Sequence, residues 1–245
     1  EEEKEYDYIE EIEEQTNRML VFQSPEAFKK TNKVFIDDLF PLHVLYSNDF
    51  KTAFIIEFTG LRIFDISNMS NPKVIGSFTQ SFNASSSAVL SPKNNLLFLD
   101  TETVLIFNVT DRQNPTQITE ISFPIRKDSS TTLRRHPTMA VSSDEKYLIC
   151  TDPMLNIYDI SNASSPKLIF QKLIKATTVL LSADDRVAFI GSPSAFSTWN
   201  MTNMRNPTQL NGIGLPGVVI VACTLAKNEK TTYCVFMFDK MENET

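Results

Sequence analysis

Few residues in this chain stand at the spacings that catalysis needs. Its two histidines, His43 and His136, lie far apart with no cysteine or carboxylate at ligand spacing, which argues against a metal centre. Neither a G-x-S-x-G nucleophile turn nor a phosphate-binding loop occurs. Gly212-Ile-Gly-Leu-Pro-Gly217 matches G-x-G-x-x-G, but a strand-like run follows it and Pro216 sits inside it. A dinucleotide fingerprint needs a strand before and a helix after, so this segment reads as a loop between two repeats. Asp65 and Asp159 recur at one repeat position, yet Asn108 and Asn200 interrupt the set, which points to turn capping rather than a ring of carboxylates. The sequence predicts no enzyme and no cofactor.

The chemistry it does offer is modification of side-chain amides. Asn-x-Ser/Thr occurs at Asn68, Asn83, Asn108, Asn162, Asn200 and Asn243, each an acceptor for an N-linked sugar on an exporting route. Asn, Ser and Thr are also good turn residues and produce such triplets incidentally. Cys223 and Cys234 are the second pair. A turn centred between Asn228 and Glu229 sets them opposite each other on adjacent strands, as a disulfide or as two small buried apolar groups. Cys150 is left over, buried or available to another chain.

These residues sit on a repeat. Leu61–Pro72, Val104–Pro115, Leu155–Pro166 and Phe196–Pro207 align without gaps, and their closing prolines are 43, 51 and 41 residues apart. Each reads as a strand rich in β-branched and aromatic residues followed by a polar turn into a further short strand. Between them lie hairpin patterns at Ala88–Leu99, Met139–Ile149 and Val179–Ile190, with looser copies around Leu45–Lys51 and Thr224–Lys230. Each unit is thus four strands, a-b-c-d, and such a unit repeating every ~40–45 residues predicts an all-β propeller blade. The aromatic column Phe64, Phe107, Tyr158 and Trp199 reads as packing between blades.

Five a-b hairpins accompany four well-formed c-d halves. The expected fold is four complete blades plus a split blade formed by the N- and C-terminal strands, four- or five-bladed. Met19–Ser24 and Lys33–Ile36 supply its c-d half and Val218–Phe238 its a-b half, within one molecule or across two.

The strand cores Leu61–Asp65, Val104–Asn108 and Leu155–Asp159, each leading into a Ser/Thr-rich turn and Pro, resemble the LVIVD-repeat family of β-propellers over roughly residues 40–210. The fourth copy departs from the pattern, with Trp199 and Asn200 in place of the aliphatic and Asp. The resemblance implies a cell-surface or secreted propeller with binding or structural duty, similar to small-propeller units of glycan-coated extracellular fibrils.

Charge separates along the chain. Residues 1–17 carry a net −8 against −7 for all 245 residues, so the remainder sums to +1. Residues 1–17 read as an acidic arm or linker and 18–245 as one propeller domain. A body without basic excess argues against nucleic acid, and the longest apolar run, Val218–Cys223, is far short of the ~20 residues that span a bilayer. The chain has no initiator Met or signal-peptide core and reads as mature or excised. Positive charge concentrates in an insertion carrying Arg126, Lys127, Arg134 and Arg135, which is expected to meet Glu10, Glu11, Glu13 and Glu14 of an adjacent copy. The overall expectation is a non-enzymatic extracellular structural glycoprotein whose partners are copies of itself and its own N-glycans, or else an intracellular scaffold propeller for protein partners.

Overall fold

The computed structural model describes residues 19–21, 33–35, 41–82, 87–93, 95–101, 103–122, 138–151, 154–174, 176–225 and 232–238, all strand or turn, with no helix among them. Two short strands, β1 (Met19–Val21) and β2 (Lys33–Phe35), pair antiparallel as a two-stranded sheet. Sixteen more follow. Blade 1 is β3 (Pro41–Tyr46), β4 (Thr52–Glu57), β5 (Gly60–Asp65) and β6 (Lys73–Thr79). Blade 2 is β7 (Ser87–Leu90), β8 (Leu96–Asp100), β9 (Val104–Asn108) and β10 (Thr116–Ile121). Blade 3 is β11 (Met139–Val141), β12 (Tyr147–Thr151), β13 (Met154–Asp159) and β14 (Lys167–Leu173).

The fourth sheet runs β15 (Thr178–Leu181), β16 (Val187–Asn200), β17 (Thr208–Leu225) and β18 (Thr232–Phe238). A straight strand from Arg186 to Met201 would stretch about 50 Å. Instead Met201 N donates to Arg186 O at 2.8 Å, as Ile160 N does to Lys146 O and Val109 N to Asn95 O. β16 therefore doubles back around Ser194, whose φ is 63°, and holds the b and c strands of blade 4. β17 is likewise shared: Thr208–Gly214 pairs with Asn200–Ala195 as strand d, and Val218–Leu225 pairs with β18.

The sequence motif Gly212–Gly217 is thus strand rather than the expected loop: Gly212–Gly214 pair with Ser197–Ala195, and β17 continues extended beyond them. The two hairpins expected at the ends of the chain both form, β1–β2 as a sheet of its own and the C-terminal one within the fourth sheet. β1 pairs with β2, and the C-terminal hairpin sets Cys223 opposite Cys234 as its turn demanded.

Two compact units divide the chain. The first, residues 1–84 with 111–115, holds β1, β2 and blade 1. In blade 1, Ala53, Ile55, Phe64 and Ile66 form a buried cluster, with Val44, Tyr46 and Met69 against it. At the turn between β4 and β5, Gly60 has φ 142°, and an added Cβ would lie 2.1 Å from Phe78 O, so only glycine fits. Arg62 closes the same hairpin with a bidentate bond to the buried Glu57 (2.5 and 2.6 Å).

The second unit holds blades 2 to 4 and the C-terminal hairpin. Its core lies between blades. Phe98, Val104 and Ile106 of blade 2 pack with Leu148, Cys150 and Tyr158 of blade 3, and Ile149, Leu155 and Ile157 of blade 3 pack with Val179, Ile190 and Trp199 of blade 4. With both faces covered, strands b and c become continuous apolar runs such as Leu97-Phe-Leu99, and each buried side chain stabilises the fold by about 1.5–3 kcal/mol. Burial lifts the Tyr158 phenol to about 12, with Cys150 adding to the effect. The aromatic positions Phe64, Phe107, Tyr158 and Trp199 are all buried, and Lys172 of blade 3 lies 4.7 Å over the Trp199 ring. Innermost strands also touch in order: Val179 N donates to Thr138 Oγ1 at 2.8 Å, and Thr177 Oγ1 to Ile220 O at 2.5 Å.

Candidate functional site

Two kinds of turn recur, and both are built from short polar side chains. In the a-b turns a buried serine organises the loop. Ser142 Oγ accepts Tyr147 N (3.0 Å) and donates to Asp144 Oδ1 (2.7 Å), which also accepts Lys146 N (3.0 Å). Ser47 with Asp49 and Ser182 with Asp184 repeat the arrangement, while in blade 2 Ser91 Oγ accepts Asn95 N and Leu96 N. The turn's left-handed residue is Phe50, Glu145 or Asp185. In the second unit two of these reach the preceding blade. Glu145 Oε1 accepts Lys93 N (2.7 Å), and Asp185 Oδ2 accepts both Ser143 N (2.7 Å) and Ser143 Oγ (2.6 Å).

The c-d turns are different. Each contains two Asx turns three residues apart, in which a side-chain oxygen accepts the backbone N–H two residues on. The first position holds Asp65, Asn108, Asp159 and Asn200, bonded to the N–H of Ser67, Thr110, Ser161 and Thr202. The second holds Asn68, Asp111, Asn162 and Asn203, bonded to Ser70, Gln113, Ser164 and Arg205. The capping role expected of Asp65 and Asp159 is what these bonds describe.

This geometry explains why the sequons change frame from blade to blade. An Asx turn accepts either Asn or Asp, and each c-d turn has one Asn whose bonded residue is Ser or Thr: Asn68, Asn108, Asn162 and Asn200. In all four the carbonyl oxygen faces the chain, leaving the amide nitrogen, the atom that takes a sugar, directed away from that bond. Asn68, Asn108 and Asn162 are exposed; Asn200 is half-buried, and Thr202 Oγ1 also donates to it at 2.7 Å. Asn83, Asn243, Arg126, Lys127, Arg134, Arg135, Glu10, Glu11, Glu13 and Glu14 lie outside the described residues. Of Cys223 and Cys234 only the backbone register is described.

The turns hold their carboxylates ionised. The Ser47 hydroxyl and Lys51 N–H pull Asp49 below the usual carboxylate range, and the Ser182 hydroxyl and Arg186 N–H do the same to Asp184. Ser67 acts so on Asp65, Asn114 on Asp111 and Ser161 on Asp159. Partial burial pushes Asp144 up, but bonds from Ser142 and Lys146 outweigh it and the net shift is down. A polar groove of about 610 Å³ runs between the turns of blades 3 and 4, lined by Ser142, Asp144, Tyr147, Asp184, Arg186 and Met201 among others. Its charges are paired locally, Lys146 with Asp144 at 3.2 Å and Arg186 with Asp184 at 3.7 Å. No group of three or more His, Cys, Asp or Glu side chains suited to a metal ion occurs among the described residues.

Sequence reasoning missed the buried serines and the acids that tie blade to blade. The signal was present: Ser47, Ser91, Ser142 and Ser182 each directly follow an a strand.

Comparison with known proteins bears on the fold. The LVIVD repeat model matches residues 51–80 and 138–172, that is β4–β6 of blade 1 and most of blade 3. No curated protein sequence matches the chain. Among solved structures, Pseudomonas aeruginosa periplasmic gluconolactonase superposes with a TM-score of 0.68 at 14% identity, covering 91% of this chain and 76% of that one. A Bacteroides uniformis protein provisionally assigned as a 6-phosphogluconolactonase gives 0.58 at 13%, covering 78% and 57%. The β-propeller domain of Myceliophteria thermophila Cps50 gives 0.57 at 13%, covering 74% and 62%. These likenesses overturn the expectation that the chain is not an enzyme, because the fold it shares is one that bears named lactone hydrolases. The absence of a familiar catalytic spacing had no power to exclude chemistry on such a scaffold. The chain is an all-β propeller, two stretches of which match the LVIVD repeat.

Proposed function

We propose that the protein is an exported, N-glycosylated propeller that builds an extracellular assembly from copies of itself. The observation that carries this reading is the c-d turn: all four blades present a sequon whose carbonyl is occupied and whose amide nitrogen is left for modification. Sugars there would cover one rim of each blade, leaving strand edges and apolar faces for contact between units. The opposite charges of Glu10, Glu11, Glu13 and Glu14 and of Arg126, Lys127, Arg134 and Arg135 would set register between neighbours rather than supply most of the affinity. A disulfide between Cys223 and Cys234, opposite in register, fits the same oxidising route. Intact mass of protein from its native source, before and after glycosidase treatment, tests the reading. A mass unchanged by the enzyme refutes it.

The solved neighbours favour a second reading, hydrolysis of a sugar lactone, since two of them bear lactonase names. Release of acid from gluconolactone, followed at constant pH with the purified chain, tests that reading directly. A rate no higher than the spontaneous one removes it.

A further inference from the structure

Equivalent turns need equivalent residues, so a residue type that the repeat does not require marks a place with another use. In every a-b turn one backbone N–H donates to the organising serine: that of Thr52, Leu96, Tyr147 or Val187. In every c-d turn the second Asx oxygen accepts the N–H of Ser70, Gln113, Ser164 or Arg205. Of the four blades, only blade 3 has an aromatic ring at the first position, and only blade 4 has a charge at the second. Both residues line the groove of about 610 Å³ between the turns of these two blades, within the second unit.

The groove has an apolar floor and polar walls. Tyr147 is half-buried against the cluster that holds Met201 and Met204. Its hydroxyl makes no hydrogen bond among the described residues. Asp144 and Asp184 accept from the buried Ser142 and Ser182, which fixes where their carboxylates stand. Arg205 reaches from blade 4 to Asp159 of blade 3 at 3.7 Å, while its side chain stays 67% exposed.

The lining is close to neutral. Asp144, Asp184 and Asp185 share it with Arg186 and Arg205, and Lys146 ion-pairs with Asp144. Such a site exerts no net pull on a nucleotide, a sulfated sugar or a strongly charged peptide. Its walls are turns and its methionines are sealed, at 1% and 8% exposure, so it has neither the free strand edge nor the open apolar groove by which peptides are commonly held. Fixed acceptors and donors above an apolar strip suit a row of hydroxyls. Each hydroxyl donates to a carboxylate and accepts from a guanidinium, while the C–H face of the ring lies on the aromatic side chain. The volume falls within the range of about 300–1,000 Å³ usual for small-ligand sites.

We propose that this groove binds a neutral oligosaccharide, with Tyr147 beneath a sugar ring and Asp144, Asp184, Arg186 and Arg205 holding its hydroxyls. The site depends neither on modification of the sequons nor on lactone hydrolysis. Two sources supply the chemistry: an outside glycan, or one carried on Asn200, whose hydrogen-bonded Thr202 lines the groove.

The test adds trisaccharides of glucose, mannose, galactose or N-acetylglucosamine to the isotope-labelled full chain from a glycosylating host, as produced and after glycosidase treatment. Backbone amide resonances report binding. At least one sugar should give saturable shifts centred on residues 142–147, 184–186 and 201–205. Binding in both forms identifies an outside glycan as the occupant; binding only after glycosidase identifies the chain's own. The variants borrow residues that other blades already carry at these positions. Tyr147→Leu and Arg205→Ser should each weaken binding about tenfold, with the rest of the spectrum unchanged. Four results overturn the proposal: no saturable shift with any of the sugars in either form, shifts that map elsewhere, binding unaltered by both substitutions, or preference for a sulfated sugar or a charged peptide. A chain that carries no glycan yet binds a trisaccharide here refutes the export reading and supports this one.

Discussion

The a-b and c-d turns draw on the same small set of residues, Ser, Asp and Asn, yet spend them differently. In the a-b turns the organising group is buried: Ser142 is 1% exposed and serves two bonds that nothing else replaces. In the c-d turns the organising groups lie at the surface, two per turn, and Asn and Asp alternate freely at each. A polar side chain with a strict structural duty admits no second use. One whose bond is satisfied equally by either of two residue types leaves room for modification.

The largest test of this contrast is Ser142→Ala. It strands the Tyr147 N–H in the turn and frees Asp144, and should cost about 1–3 kcal/mol, read as a lower urea midpoint at unchanged slope. Asp185→Ala comes next, at about 1–2 kcal/mol. It removes both bonds to Ser143 and places alanine at φ 58°, whereas Asp185→Asn, which tolerates that backbone, should recover part of the loss. Acid should act on both kinds of turn. Asp49, Asp144 and Asp184 in one and Asp65, Asp111 and Asp159 in the other all have lowered folded values, so their contribution is present above about pH 4 and fades as pH falls through those values. Thermal midpoints from pH 6 to pH 2 should fall, and a flat profile would contradict the assignment. The smallest effect belongs to Asn162→Asp. The Asx turn survives, so stability should move by no more than about 0.5 kcal/mol, while one glycan disappears from the intact mass.

The repeat was legible because its punctuation is chemical. Pro72, Pro115, Pro166 and Pro207 end each c-d turn, and the apolar strands before them admit one reading. Capping by Asp65 and Asp159 was legible for the same reason. What escaped were features set by tertiary pairing. Gly212–Gly217 looked like a loop because glycine and proline suggest one, but a neighbouring strand pairs with its first half, Gly212–Gly214. The acids Glu145 and Asp185 could not be paired from sequence, since their partners lie 52 and 42 residues away in other blades.

The doubled Asx turn lets acceptor triplets be gained or lost in single steps. Asp65 and Asp159 are each bonded to the N–H of a serine two residues on, so Asp65→Asn or Asp159→Asn would write a new acceptor triplet into a turn that already has the required shape. Such a turn gains or loses an acceptor by exchanging one oxygen for one nitrogen, with the underlying chain path untouched.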